Sequence, residues 1–185
     1  VDAKHIHFHG NNKTMQELCY ALESGVGDIV VDNLNELHRI EKLSCGKRRR
    51  YVHFHAHQPG IDAHTHEFIR TGQIDSKFGF ALENGEAFEA VKEAVACENV
   101  ELIGLHCHIG SQIFALHSYP EAVEVMVELM ARIEEGYGYR IEELDVGGGL
   151  GIAYTADDKP ASIDEFAETV TSAVHAACEK FGVPE

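Results

Sequence analysis

The chain has 185 residues, 44% hydrophobic and 25% charged, which fits one globular domain with a core of its own. Its 31 acidic and 15 basic residues leave a formal net charge of −16, which argues against nucleic acid and anionic membranes as partners. No apolar run reaches the roughly 18 residues of a membrane span, and the five cysteines, odd in number and without a C-x-x-C pair, read as free thiols of a reducing cytosol.

Five short apolar segments alternate with five helical patterns. The first strand is about His5 to His9; it empties into Gly10-Asn11-Asn12-Lys13-Thr14, where Thr14 caps a helix to about Ser24. Asp28-Ile29-Val30-Val31 is the second strand. Asp32-Asn33 then forms a turn and cap for a helix whose Leu34, Leu37, Ile40 and Leu43 make an apolar stripe. The one basic run, Lys47-Arg48-Arg49-Arg50, reads as a solvated loop before the third strand, about Tyr51 to His57. A long loop from Ile61 to about Leu82 holds His64-Thr65-His66-Glu67 and Asp75-Ser76-Lys77-Phe78-Gly79, and loops of this length usually serve function. Glu86 to Ala96 is a helix. The fourth strand lies in Leu102-Ile103-Gly104-Leu105, a helix runs from about Pro120 to Glu135, the fifth strand is Leu144–Val146, and a last helix runs from about Ile163 to Phe181.

This βαβα order implies an α/β fold, a parallel sheet covered by helices. Every concentrated polar motif follows a strand, so all gather at one end of the sheet. That favours a barrel of the TIM type, whose βα loops carry the site. A full barrel takes eight strands and about 250 residues; five βα units make a partial (β/α)8 barrel lacking strands at both ends. A doubly wound open sheet is the alternative.

Two strand ends carry the chemistry. The fourth strand opens into His106-Cys107-His108-Ile109-Gly110-Ser111-Gln112, and the fifth into Gly147-Gly148-Gly149. Glycines let backbone N–H groups approach an anion closely. The triplet lacks the G-x-G-x-x-G spacing of a dinucleotide site and suits a single phosphate, with a β-branched residue at Gly148 expected to block it. His108 offers a flat ring to stack on an aromatic cofactor, and Ser111 a hydroxyl for phosphate. A rival reading rests on the 13 histidines, many in H-x-H pairs: His5/His7/His9, His53/His55/His57, His64/His66 and His106/His108. Residues two apart on a strand share a face, so these triplets suit a transition metal or a metallohydrolase barrel.

The motifs Phe8-His9-Gly10-Asn11-Asn12-Lys13, Pro59-Gly60-Ile61-Asp62-Ala63-His64-Thr65-His66-Glu67, Lys77-Phe78-Gly79, His106-Cys107-His108-Ile109-Gly110-Ser111-Gln112-Ile113 and Asp145-Val146-Gly147-Gly148-Gly149-Leu150-Gly151 stand in one order along nearly the whole chain. In these the chain resembles the diaminopimelate decarboxylases, within the fold-type III pyridoxal-phosphate decarboxylases. The resemblance implies a pyridoxal 5'-phosphate cofactor, with His108 stacking on its ring and Ser111, Gly147, Gly148 and Gly149 holding its phosphate. It implies decarboxylation of meso-2,6-diaminopimelate to L-lysine in the cytoplasm, by a homodimer whose barrel is joined to a β-rich domain. It also implies that residues 1–185 are an internal part of the barrel domain. The cofactor lysine then precedes Val1 and the catalytic cysteine follows Glu185, so the chain alone is expected to be inactive. Lys13 and Lys77 belong to other motifs, and no metal is implied. The family carries apolar residues where His53, His55 and His57 stand, and usually an arginine at Ala56.

Overall fold

The computed structural model describes residues 1–46, 50–57, 78–82 and 84–185. A single 3-10 turn, Ala3–His5, leads into β1 (His7–Phe8). The order is then α1 (Met15–Ser24), β2 (Asp28–Val31), α2 (Leu34–Ser44), β3 (Arg50–His57), β4 (Phe80–Ala81), α3 (Glu86–Ala96), β5 (Val100–His106), α4 (Ser118–Tyr137), β6 (Glu143–Asp145) and α5 (Ile163–Phe181). Every strand pairing is parallel. The sheet order is β1-β2-β3-β5-β6, with β4 pairing the end of β3.

That order answers the choice between barrel and open sheet. A doubly wound sheet reverses direction across itself at a switch point; here the strands succeed one another across the sheet as they do along the chain. The sheet is also strongly curled. His9, just past the β1 edge, and Asp145, on the β6 edge, come within 3.8 Å. The architecture is a partial barrel wall with helices outside.

Local chemistry sets the helix ends. Thr14 accepts from the Glu17 N–H while the Glu17 carboxylate accepts from the Thr14 N–H, and Gly25 in left-handed conformation ends α1. Ser162, Glu165 and Gly182 repeat the device on α5. The barrel's outer wall is ordinary: Ile29, Val31, Val52, Phe54, Ala56, Leu102 and Leu105 join one buried cluster with Leu18, Leu37, Ile40, Val91, Val123, Met126 and Ile133 of the helices. Among the described residues no helix is long and apolar enough to cross a membrane.

Four expectations change. The first strand is shorter than residues 5–9, because only His7 and Phe8 find partners, on Asp28 and Ile29. The fifth expected strand sits one residue earlier, over Glu143–Asp145, where it pairs with Gly104, Leu105 and His106. A two-residue strand, β4, occupies the end of the expected long loop, held by Ala56 and His57. Arg50 of the basic run belongs to β3 and donates to the Leu22 carbonyl at 2.7 Å. His64, His66 and Lys77 lie outside the described residues.

Candidate functional site

Alternation decides what the sheet shows to its hollow side. On β3 the outward set is Val52, Phe54 and Ala56, so His53 and His55 face inward. Register carries this across neighbours: His55 is level with His106, and His106 with Asp145. Beyond β2, Asp32 joins this level. Its Oδ1 lies 3.2 Å from His55 Nδ1 and accepts from the Gly79 N–H at 2.9 Å. The C-terminal strand ends thus enclose a cavity of about 520 Å³, lined by His9, Gly10, Asn11, Val30, Asp32, His55, Phe78, His106, His108, Asp145, Gly147 and Gly148. Its size suits a compact organic ligand.

The three glycines are not equivalent. Gly147 and Gly149 hold φ of +70° and +94°, whereas Gly148 has no positive φ. A Cβ at Gly147 would stand 2.7 Å from the Cys107 carbonyl oxygen, and one at Gly149 would overlap the Gly110 carbonyl. A Cβ at Gly148 would meet no protein atom within 4 Å, although Gly148 lines the cavity. The steric demand expected at Gly148 therefore falls on its neighbours, and a side chain there would stand in open space at the edge of the cavity.

The loop is pinned from behind. Gly147 donates its N–H to Asp145 Oδ1 at 2.8 Å. Buried Tyr119 donates its hydroxyl to the Gly148 carbonyl at 3.0 Å, and burial pushes its pKa up to about 12, so it remains a donor. The Gly149 carbonyl accepts from Ile113 at 2.8 Å. Among the described residues, no acceptor is recorded for the N–H groups of Gly148 and Gly149.

Charges in the cavity are arranged around Asp145. Burial acts to raise its pKa, but His106 at 2.9 Å, the Gly147 N–H and His9 outweigh this and hold the carboxyl well below its usual range. Burial, then the charge of His106, lowers His9 to about 4. Burial also lowers His108, with His106 and His55 adding to the effect, so His108 is a neutral ring near pH 7.

Of the residues expected from sequence, His108, Gly147 and Gly148 line the cavity. Gly149 sits behind them. Ser111 is exposed and is not among the lining residues, although its loop touches Gly149 through Gly110. Lys13 is excluded from covalent chemistry by its partners. It is 5% exposed, lies 2.7 Å from the Glu36 carboxylate and donates to the Val30 carbonyl at 2.8 Å. It ties the Gly10-Asn11-Asn12 loop to β2 and α2. The rival histidine reading also finds geometry: His9, His106 and Asp145 form one group with ligand atoms within 4.8 Å, and His7, Asp28 and His53 another.

The sequence reading missed the parts that Asp32, Tyr119 and Asp145 play in the cavity, and held His55 only as a member of the rival histidine triplet. Asp145 was open to discovery, since it directly precedes the glycines at a strand end. Strand parity put His55 on one face with His53; nothing local marks Tyr119.

A family model described as the pyridoxal-binding domain of pyridoxal-dependent decarboxylases matches residues 1–185. The chain belongs to this family. It is 42% identical to the diaminopimelate decarboxylase of Corynebacterium efficiens over 95% of its own length, and 41% identical to that of Bacillus subtilis over 99%. It spans 38% and 42% of those two relatives. The crystal structure of the M. jannaschii diaminopimelate decarboxylase with L-lysine superposes over 100% of this chain and 42% of its own, at a TM-score of 0.86 and 32% identity. The cavity fits the group for which this family is described. It presents a glycine loop with open space at Gly148, and a neutral imidazole at His108 on the adjacent strand end.

Proposed function

We propose that this chain forms the pyridoxal-phosphate-binding wall of a diaminopimelate decarboxylase, which converts meso-2,6-diaminopimelate to L-lysine. The observation that carries the reading is the Gly148 position: a backbone with ordinary φ and empty space on its cavity side, pinned through its carbonyl by Tyr119. When bound, the pyridoxal ring supplies an electron sink for loss of CO₂.

The chain's own residues bind and orient. The N–H groups of Gly148 and Gly149 would hold the phosphate, and Ser111 would add its hydroxyl from the loop that packs on Gly149. His108, kept neutral, would offer its imidazole to the ring of the bound cofactor. Asp145 stays ionised and holds His106, while Asp32 fixes His55 and the Gly79 backbone, so the cavity walls keep their shape. The lysine that attaches the cofactor and the cysteine that completes catalysis belong to the rest of the enzyme in this reading. So do the homodimer contacts. Free cysteines at Cys19, Cys45, Cys97, Cys107 and Cys178 suit a reducing cytoplasm.

The test is lysine formation by the enzyme that carries this segment, supplied with pyridoxal phosphate and offered meso-diaminopimelate, ornithine or arginine separately. Lysine from the first, with little turnover of the others, is expected. Preferred turnover of ornithine or arginine would overturn the substrate assignment.

A further inference from the structure

Below the cofactor cavity, the hollow face of the sheet carries a second group of polar side chains that the proposed reaction does not use. Barrel interiors are normally filled by Val, Ile and Leu. Here His7 of β1, Asp28 of β2 and His53 of β3 face inward, each offering a ligand atom within 4.8 Å of the others. His7 Nδ1 lies 3.6 Å from Asp28 Oδ2, and the His7 and His53 rings are 5.2 Å apart.

His53 is the informative member. It is 1% exposed, and its Nδ1 is buried with no hydrogen-bond partner among the described residues. Its other nitrogen, Nε2, lies 2.9 Å from the Glu143 carboxylate of β6. A buried ring nitrogen without a partner is destabilising and calls for an explanation. The fold also makes room for this ring. The β3–β5 register shifts after Val52, so that His53 faces Gly104, where any Cβ would overlap the imidazole. A carboxylate only accepts, so the contact favours the tautomer that donates from Nε2 and carries its lone pair on Nδ1. A carboxylate behind a histidine whose other nitrogen is free is how metal-binding histidines are commonly oriented.

We propose that His7, Asp28 and His53 bind a divalent transition metal ion of the zinc type, with Glu143 orienting His53 from behind. Two imidazoles and one carboxylate form a donor set that zinc accepts, with a fourth position left open. A cavity of about 420 Å³ adjoins His7 and His53. The ion joins three strands through side chains, where other barrels rely on apolar packing. It binds the folded chain alone, so it raises the unfolding temperature.

The experiment is a titration of the folded full chain with Co²⁺, read by the visible absorption of four-coordinate cobalt, followed by displacement with Zn²⁺. Circular dichroism confirms folding of each variant. The proposal expects the signal in the wild type, its loss in His53→Leu and Asp28→Asn, and its retention in His106→Gln, which alters the upper His9–His106–Asp145 group. Glu143→Gln keeps the signal but weakens binding by about 10–100-fold. A folded wild type without the cobalt signal overturns the proposal. So does a signal that survives in folded His53→Leu or Asp28→Asn, or that vanishes in His106→Gln, which would put the ion in the upper group.

Discussion

The two faces of β3 obey different rules. Outward, Val52, Phe54 and Ala56 are buried among helix residues as in any α/β protein. Inward, the same strand sets down His53 and His55 among Asp28, Asp32, His106, Glu143 and Asp145. The outer face secures the fold through area removed from water. The inner face contributes little of that and carries polar groups whose placement depends on being held. A strand can thus satisfy folding with every second residue and leave the alternate ones free for chemistry.

The contrast breaks most visibly at Phe54, which is 1% exposed and stacks at 4.7 Å on Phe80. Phe54→Ala should cost about 3–5 kcal/mol of stability, measured by urea unfolding. Next in size is Lys13→Met, which strands Glu36 as a buried charge and should cost about 3–5 kcal/mol if Glu36 stays ionised. Burial raises the Glu36 pKa, with Lys13 opposing, so its protonation softens the loss, and the loss should be smaller at pH 5 than at pH 8. Tyr119→Phe removes one hydrogen bond from behind the glycine loop and should cost about 0.5–1.5 kcal/mol.

The inner face should also respond to acid. His9, His53 and His108 all have lowered pKa values, with burial the largest cause in each. Between the ordinary histidine value and the folded value, the unfolded chain binds protons that the folded one refuses, so stability falls as the pH drops. For His9 that window runs from 6.5 down to about 4, and His9→Gln should flatten that part of the stability–pH curve. Asp145 adds a loss below 3.8, because its folded carboxyl resists protonation. The smallest effect sharpens the comparison best. In metal-free buffer, His53→Leu, one residue from Phe54, should change stability by no more than about 1 kcal/mol, since it replaces a buried, half-satisfied ring with an apolar one.

What was legible in the sequence followed the range of the interactions. The ends of α1 and α5 were readable because Thr14–Glu17 and Ser162–Glu165 are local devices. The glycine triplet and His108 were readable because each follows its strand directly. β4 escaped because two residues show no alternation and its partners lie more than twenty residues away, on β3. Lys13, Asp32 and Tyr119 act on distant backbone or side chains, and no spacing in the sequence marks such pairs. The steric demand expected at Gly148 fell on Gly147 and Gly149 for the same reason. Which of them needs to be glycine depends on the carbonyls of Cys107 and Gly110.

The central claim is that the cavity beside Gly148 receives a phosphate. It is tested most directly by titrating the chain with pyridoxal phosphate and with unphosphorylated pyridoxal, for the wild type and for Gly148→Val, with circular dichroism to verify folding. Loss of one or two charge-assisted hydrogen bonds at roughly 1.5–3 kcal/mol each corresponds to about ten- to a hundredfold in affinity per bond. The wild type should therefore prefer the phosphate ester by at least about tenfold, and folded Gly148→Val should lose that preference. Equal binding of the two ligands by the wild type, or an undiminished preference in folded Gly148→Val, would contradict the account.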